Sequence, residues 1–170
     1  MPKRTLFSVV VLSVVMSGGI TWVYAQQSGR SGALTSQDYI DIQQLYARYY
    51  QTIDASDAEG WAGTFTPDGV FNEVKGHDAL AEFIRRAGSN RPLRHLHSNL
   101  IVTATPQGAT GSVYVVQIDV KARPLTVFSY SRYDDTLVKT PQGWRFKTRT
   151  RSADTTLTPV NASSVRSDRQ

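Results

Sequence analysis

The sequence predicts an α+β domain in which helices come first, antiparallel strands second, and the helices cover one face of the sheet. Three observations carry this. Apolar residues recur at helical spacing in the first half of the domain, they alternate with polar ones from Leu93 onward, and Pro- or Gly-containing turns separate the alternating runs.

Thr35 or Ser36 can cap a first helix whose apolar positions Ile42, Leu45, Tyr46, Tyr49 and Ile53 make one buried stripe, and which should end near Ser56. Asp57 or Ala58 then starts a short second helix through Trp61 and Phe65, closed by the turn Pro67-Asp68-Gly69 and followed by a brief strand over 70–74. Gly76-His77-Asp78 introduces a third helix, with Leu80, Phe83, Ile84 and Ala87 as its apolar face and Gly88 as its stop. Strands are expected at 96–104, 110–121, 126–139 and 144–152, divided by Pro106-Gln107-Gly108, Arg123-Pro124 and Pro141-Gln142-Gly143. There is no internal repeat.

The two ends read differently. Lys3-Arg4, the apolar run from Leu6 to Met16 and the small and polar residues ending in Val23-Tyr24-Ala25 have the layout of a secretory signal, 1–25, cleaved after Ala25. The run falls short of the roughly 20 residues a bilayer requires, although extending it through Val23 gives an uncleaved N-terminal membrane anchor as the alternative. Cleavage leaves a periplasmic or secreted chain with no membrane contact. It comprises a flexible leader at 26–33, one domain at 34–154, and a Thr/Ser-rich disordered tail at 155–170 that carries the sequon Asn161-Ala162-Ser163.

Loss of Lys3 and Arg4 lowers the formal net charge from +5 to +3, too small and too dispersed for a nucleic-acid partner. Arg145, Lys147, Arg149 and Arg151 alternate, which in a regular strand sets all four on one face, a stripe that could bind phosphate but is read as the solvated outer face of a terminal strand. The absence of cysteine excludes disulfides, thiol catalysis and Cys-ligated metal.

Residue type and spacing point to acid/base chemistry. On a helix Tyr46, Tyr50 and Asp54 form an i, i+4, i+8 ladder beside the apolar stripe, with Tyr49 nearer its centre. Asp54 thus stands at the edge of the buried face, near the helix C-terminus, or else faces solvent or caps the next helix. On the first long strand His95, His97, Asn99 and Ile101 should share one face, and two imidazoles with an amide suit proton transfer at neutral pH. His95-Leu96-His97 could also chelate a metal, but only with a third ligand such as Asp54 or Asp119 brought close.

The order of elements, with Ile42-Gln43-Gln44-Leu45-Tyr46-Ala47-Arg48-Tyr49, Asp54 with Trp61, Phe65-Thr66-Pro67-Asp68-Gly69, Gly76, Arg94-His95 with Ser98-Asn99, Ser131-Arg132-Tyr133-Asp134-Asp135 and Gly143-Trp144-Arg145-Phe146, resembles the SnoaL-like branch of the nuclear transport factor two-like superfamily. The resemblance spans about 34–152. It implies a cone in which a strongly curved antiparallel sheet wraps around the long N-terminal helix, with two shorter helices and one apolar pocket. Relatives include polyketide cyclases, scytalone dehydratase and ketosteroid isomerase, so the fold implies the pocket and the residues must supply the chemistry.

Dehydratase relatives place a Tyr, and an Asp five residues later, at the pocket wall. Tyr49 and Asp54 match that spacing, and Tyr50 is the alternative phenol. They also use a His at the start of the strand where His95 stands. The resemblance therefore implies Asp54, His95 and Tyr49 or Tyr50 as catalytic residues. Candidate ligand-binding residues are His97, an extra that the family pattern does not require, and Asn99 on the His95 face, Tyr114 or Asp119 on the next strand, Arg149 where many relatives carry an Arg, and Trp61, which also closes the core at the helix hairpin.

A second His, present in dehydratases on the next strand, is missing here, where Gln117 and Asp119 share a face. The expected function is cofactor-free and metal-free dehydration, isomerisation or cyclisation of a hydrophobic cyclic small molecule. The alternative is a non-catalytic ligand-binding or dimerisation module. A homodimer through the open sheet face is the default assembly and a trimer the alternative.

Overall fold

The computed structural model describes residues 32–87 and 92–153. The expected signal peptide, nearly all of the leader, the tail with its sequon and the Gly88 stop lie outside the described residues. Within them the element order is α1 (Ser36–Asp54), α2 (Ala58–Ala62), β1 (Phe65–Phe71), β2 (Val74–Lys75), α3 (His77–Ala87), β3 (Leu93–Thr105), β4 (Gly108–Asp119), β5 (Thr126–Thr140) and β6 (Gly143–Ala153). This is the expected α+β arrangement. The expected 70–74 strand is instead a small hairpin of β1 and β2, turning at Asn72 with φ of 51°.

Six strands form one open sheet in the order β2-β1-β6-β5-β4-β3. The pairings are antiparallel except that of β1 with β6, which is parallel. The α1 stripe of Ile42, Leu45, Tyr46, Tyr49 and Tyr50 packs on the inner face of this sheet, against Val113, Val115, Tyr133, Leu137, Trp144 and Phe146.

Thr35 caps α1 through a capping box in which Asp38 returns a carboxylate oxygen to the Thr35 backbone N–H. The other Asp38 oxygen accepts from Lys139 at 2.7 Å and from the buried Trp144 indole N–H at 3.0 Å, so one carboxylate fastens the start of α1 to the β5–β6 hairpin. Asp57 caps α2 by accepting from the Gly60 N–H. That leaves Asp54 free of capping duty.

Three β-bulges curve the sheet and reset its parity. In β3 the pairing passes from Ser98–Tyr114 to Ile101–Ser112, with Asn99 in the left-handed region at φ 56°. Ile101 therefore turns outward, at 67% exposure, while Leu100 and Val102 pack on the core. The expectation that Ile101 shares a face with the histidines is corrected accordingly. In β5 Phe128 is the extra residue between the Gln117–Ser129 and Ile118–Val127 pairs.

In β6 Lys147 is the extra residue between the Leu137–Phe146 and Thr136–Thr148 pairs. This bulge breaks the expected basic stripe. Arg145 and Lys147 stay on the outer side, whereas Arg149 swings into the core at 0% exposure.

Candidate active site

Asp54 is the last residue of α1, and His95 lies near the start of β3, an edge strand of the sheet. An edge strand presents backbone N–H groups that no neighbouring strand satisfies. The His95 N–H is one of these, and it donates to Asp54 Oδ2 at 3.1 Å, while the His95 ring Nδ1 lies 2.6 Å from Asp54 Oδ1. Both side chains are largely buried, 7% exposed for His95 and 16% for Asp54. A carboxylate that accepts from both groups holds a ring proton on Nδ1.

The register then extends the site across the sheet. His95 pairs with Gln117, and Gln117 with Ser129, so the three share one row on the inner face. The Gln117 amide is 2.6 Å from His95 Nε2, and the Ser129 hydroxyl donates to the other amide atom at 2.6 Å. A chain of four polar side chains results, from Asp54 to Ser129.

A cavity of ≈ 50 Å³ opens beside this chain, lined by Ile53, Asp54, Ser56, Phe83, Ile84, Ala87, Leu93, His95 and Gln117. Its polar wall is formed by Asp54, Ser56, His95 and Gln117, and its apolar wall comes largely from α3. A few convergent polar groups in an otherwise apolar hollow is the usual composition of a small-molecule site.

The tyrosines are placed elsewhere. Tyr49 is 1% exposed, its ring packed on Trp61, Phe65 and Phe146 and its hydroxyl without a hydrogen-bond partner among the described residues. Tyr50 stacks on His97 and His95, with ring centroids 5.0 and 5.9 Å away, and its hydroxyl accepts from Arg149 at 3.0 Å. Burial pushes both phenols above their ordinary values. Neither is among the residues that line the cavity.

Arg149 does not reach the cavity either. Its guanidinium lies between the Tyr49 and Phe146 rings, 4.1 and 4.3 Å from their centroids, with Nε 3.2 Å from Asp135 Oδ1. It is a core cation paired with a core carboxylate. Tyr46 donates to the other Asp135 oxygen at 2.5 Å, and burial pushes the Asp135 carboxyl up to about 6 against the pull of Arg149 and Tyr46.

The remaining expected ligand contacts are dispersed. Trp61 is wholly buried among Tyr49, Phe65, Phe71 and Phe83, Asn99 forms the β3 bulge, and Tyr114 lies on the outer face stacked on Tyr130. Asp119 accepts from the Lys121 and Ala122 N–H groups and so shapes the β4–β5 turn. His97 keeps a solvent-accessible edge on the inner side, where partial burial and the Arg149 charge lower its pKa. Among the described residues no group of three or more His, Asp or Glu side chains stands close enough to hold a metal ion.

Two of the interacting residues were not expected as site residues. Gln117 was noticed only as sharing a face with Asp119. Ser129 carried no signal, because the Phe128 bulge hides which face it occupies.

Comparison with known proteins fits this picture. Residues 35–150 match the SnoaL-like domain family. The chain is 33% identical to a substituted form of Rv3472, a function-unknown protein from Mycobacterium tuberculosis, over 68% of this chain and 71% of that one, with a TM-score of 0.64. It is 25% identical to an NTF2-like protein with a cystatin-like fold from Novosphingobium aromaticivorans, over 75% and 86% of the two chains, TM-score 0.64. It is also 25% identical to a Catenulispora acidiphila protein solved in complex with S-DNPA, over 71% and 96%, TM-score 0.62. No curated protein gives a significant match. With two thirds of its length matched by the family and its sheet, helices and cavity arranged in the corresponding cone, the chain belongs to the SnoaL-like family.

Proposed function

We propose that this is an exported SnoaL-like enzyme that performs cofactor-free proton transfer on a hydrophobic cyclic small molecule, by dehydration, isomerisation or cyclisation. The observation that carries the reading is the Asp54–His95 pair on the wall of a cavity whose opposite wall is apolar. Asp54, fixed by two N–H donors, is positioned to take a proton from a carbon next to a carbonyl, and His95 orients and supports it. The Ser56 hydroxyl, also on the lining, is the available donor for the developing oxyanion in place of a tyrosine.

The cavity, at ≈ 50 Å³, is far smaller than the roughly 300–1,000 Å³ of pockets that enclose a drug-sized ligand. It seats the reacting end of such a molecule. The relative solved in complex with S-DNPA supports the binding part of the reading.

The test is a thermal-shift screen of aromatic and steroid-like compounds on wild type and Asp54→Asn, followed by turnover assays on the hits. A substrate should still bind Asp54→Asn and lose about 10²–10⁴-fold in turnover, the usual worth of a general base. Equal turnover by the two proteins would sink the reading. The alternative, a ligand-binding module without chemistry, is favoured by the absence of any tyrosine hydroxyl from the described lining and expects bound compounds to be recovered unchanged. We further propose a homodimer formed through the outer sheet face, with a trimer as the alternative. Leu96, Ile101, Val127 and Phe128 are exposed in that part of the sheet.

A further inference from the structure

We infer that Gln117 is a positioning residue that sets the protonation state of His95, and that its amide has two working orientations, exchanged through Ser129. The inference rests on the proposed acid/base role of the Asp54–His95 pair and adds to it the means by which that pair is kept ready.

The argument starts from what each atom can donate. With Asp54 accepting from Nδ1–H, a neutral His95 ring carries its lone pair on Nε2, and in this first pattern the Gln117 NH₂ caps it at 2.6 Å. The Gln117 oxygen then faces the Ser129 hydroxyl, which donates to it at 2.6 Å. Every polar group in the row is satisfied, and His95 is held neutral with its proton on the Asp54 side. Asp54 thereby keeps an unprotonated, ring-supported carboxylate on the cavity wall.

A half-turn of the amide exchanges O and N at the same positions, so the same heavy-atom distances serve a second pattern. The Gln117 oxygen then accepts from a proton on Nε2, and its NH₂ donates to Ser129, whose hydroxyl turns from donor to acceptor. His95 is now an imidazolium between Asp54 and an amide carbonyl, again with nothing left unpaired. The proton gained at Nε2 comes from solvent and goes back to solvent when the amide reverts, while a proton removed from substrate resides on Asp54, on the Nδ1 side of the ring.

A carboxylate at position 117 would accept both from a proton on Nε2 and from the Ser129 hydroxyl, and so favours the imidazolium. An alkyl side chain there would support neither, and loss of the Ser129 hydroxyl would remove the group that serves both. Among the described residues, the titratable groups that face the ring are Asp54 and Tyr50 from α1, with Arg149 behind the Tyr50 hydroxyl and His97 two residues along β3. The α3 side of the cavity contributes only Phe83, Ile84 and Ala87.

Side-chain ¹⁵N NMR of the His95 ring in the full-length protein without ligand tests this directly. At neutral pH wild type should show one protonated nitrogen, Nδ1. Gln117→Glu should show both nitrogens protonated, and Gln117→Leu should keep Nδ1–H on Asp54 but move the Nε2 signal to that of a lone pair without a hydrogen bond. Ser129→Ala, a milder change, leaves the amide without a partner on its far side in either orientation and should move the Nε2 signal part of the way toward that of Gln117→Leu.

Ring signals in Gln117→Glu identical to those of wild type overturn the proposal. If that variant does not fold, Ser129→Ala carries the decision, and ring signals matching wild type across the same pH range overturn it. Because the readout needs no substrate, equal turnover by wild type and Asp54→Asn would refute the enzymatic reading while leaving this result standing.

Discussion

Asp38 does more for this fold than its place in the first turn of α1 suggests. One oxygen completes the capping box with Thr35, and the other receives Lys139 and the Trp144 indole. The Lys139 hydrogen bond first, and then that of Thr35, holds the carboxyl well below its ordinary value. A carboxyl depressed in the folded state contributes stability that is complete above the unfolded value of about 3.9 and is lost as pH falls below it. Acid unfolding of wild type should therefore steepen below about pH 4, and Asp38→Asn should flatten that limb. Asp38→Ala should cost about 2–4 kcal/mol at neutral pH, since it removes a cap and leaves the buried indole N–H unpaired. Urea titrations at a series of pH values measure both. Asp135 works in the opposite direction: burial raises its carboxyl to about 6, so its contribution to stability declines as pH rises from the unfolded value through that point.

At the scale of elements, the bulges decide what each strand presents, and Gly111 shows how closely β4 must approach α1. A Cβ at that position would lie 2.1 Å from the Tyr46 hydroxyl oxygen, the atom that donates to Asp135. Gly111→Ala must push Tyr46 off Asp135 and leave a buried carboxylate short of a donor. A loss of about 2–4 kcal/mol is expected from overpacking and the broken hydrogen bond together, read as a lower urea midpoint with little change in slope.

The same scale explains what the sequence could reveal. The helices were legible because 3.6-residue periodicity and the Thr35 and Asp57 caps are local signals. The inner facing of His95 was legible because no bulge precedes it in β3, whereas the facing of Asp54 stayed open until the structure gave the α2 cap to Asp57. Arg149 was not, because the extra residue Lys147 moves it from an outer stripe to the core without leaving a mark in the alternation. Ile101 and Ser129 were obscured in the same way by the bulges at Asn99 and Phe128. The Tyr49–Tyr50 choice was unreadable for another reason: both phenols turn inward, and which atoms they meet depends on that displaced Arg149.

For the whole molecule, the helices cover one face of the sheet and leave the other open. That outer face carries Leu96, Ile101 and Tyr114, and the nearby β5 residues Val127 and Phe128 are also exposed. Large apolar side chains gathered on one surface usually mark a contact with another chain. In a two-fold dimer the same patch meets its own copy, so one substitution acts twice at the interface. Leu96 and Ile101 are 56% and 67% exposed, so replacing them with lysine removes little from the folded monomer but sets like charges across the proposed contact. Sedimentation velocity at micromolar concentration should find wild type as a dimer and the Leu96→Lys/Ile101→Lys double variant as a monomer, with thermal unfolding of the variant remaining cooperative. A monomeric wild type would refute the assembly, a trimer would replace it with the alternative, and a double variant that stays dimeric would move the interface off this face.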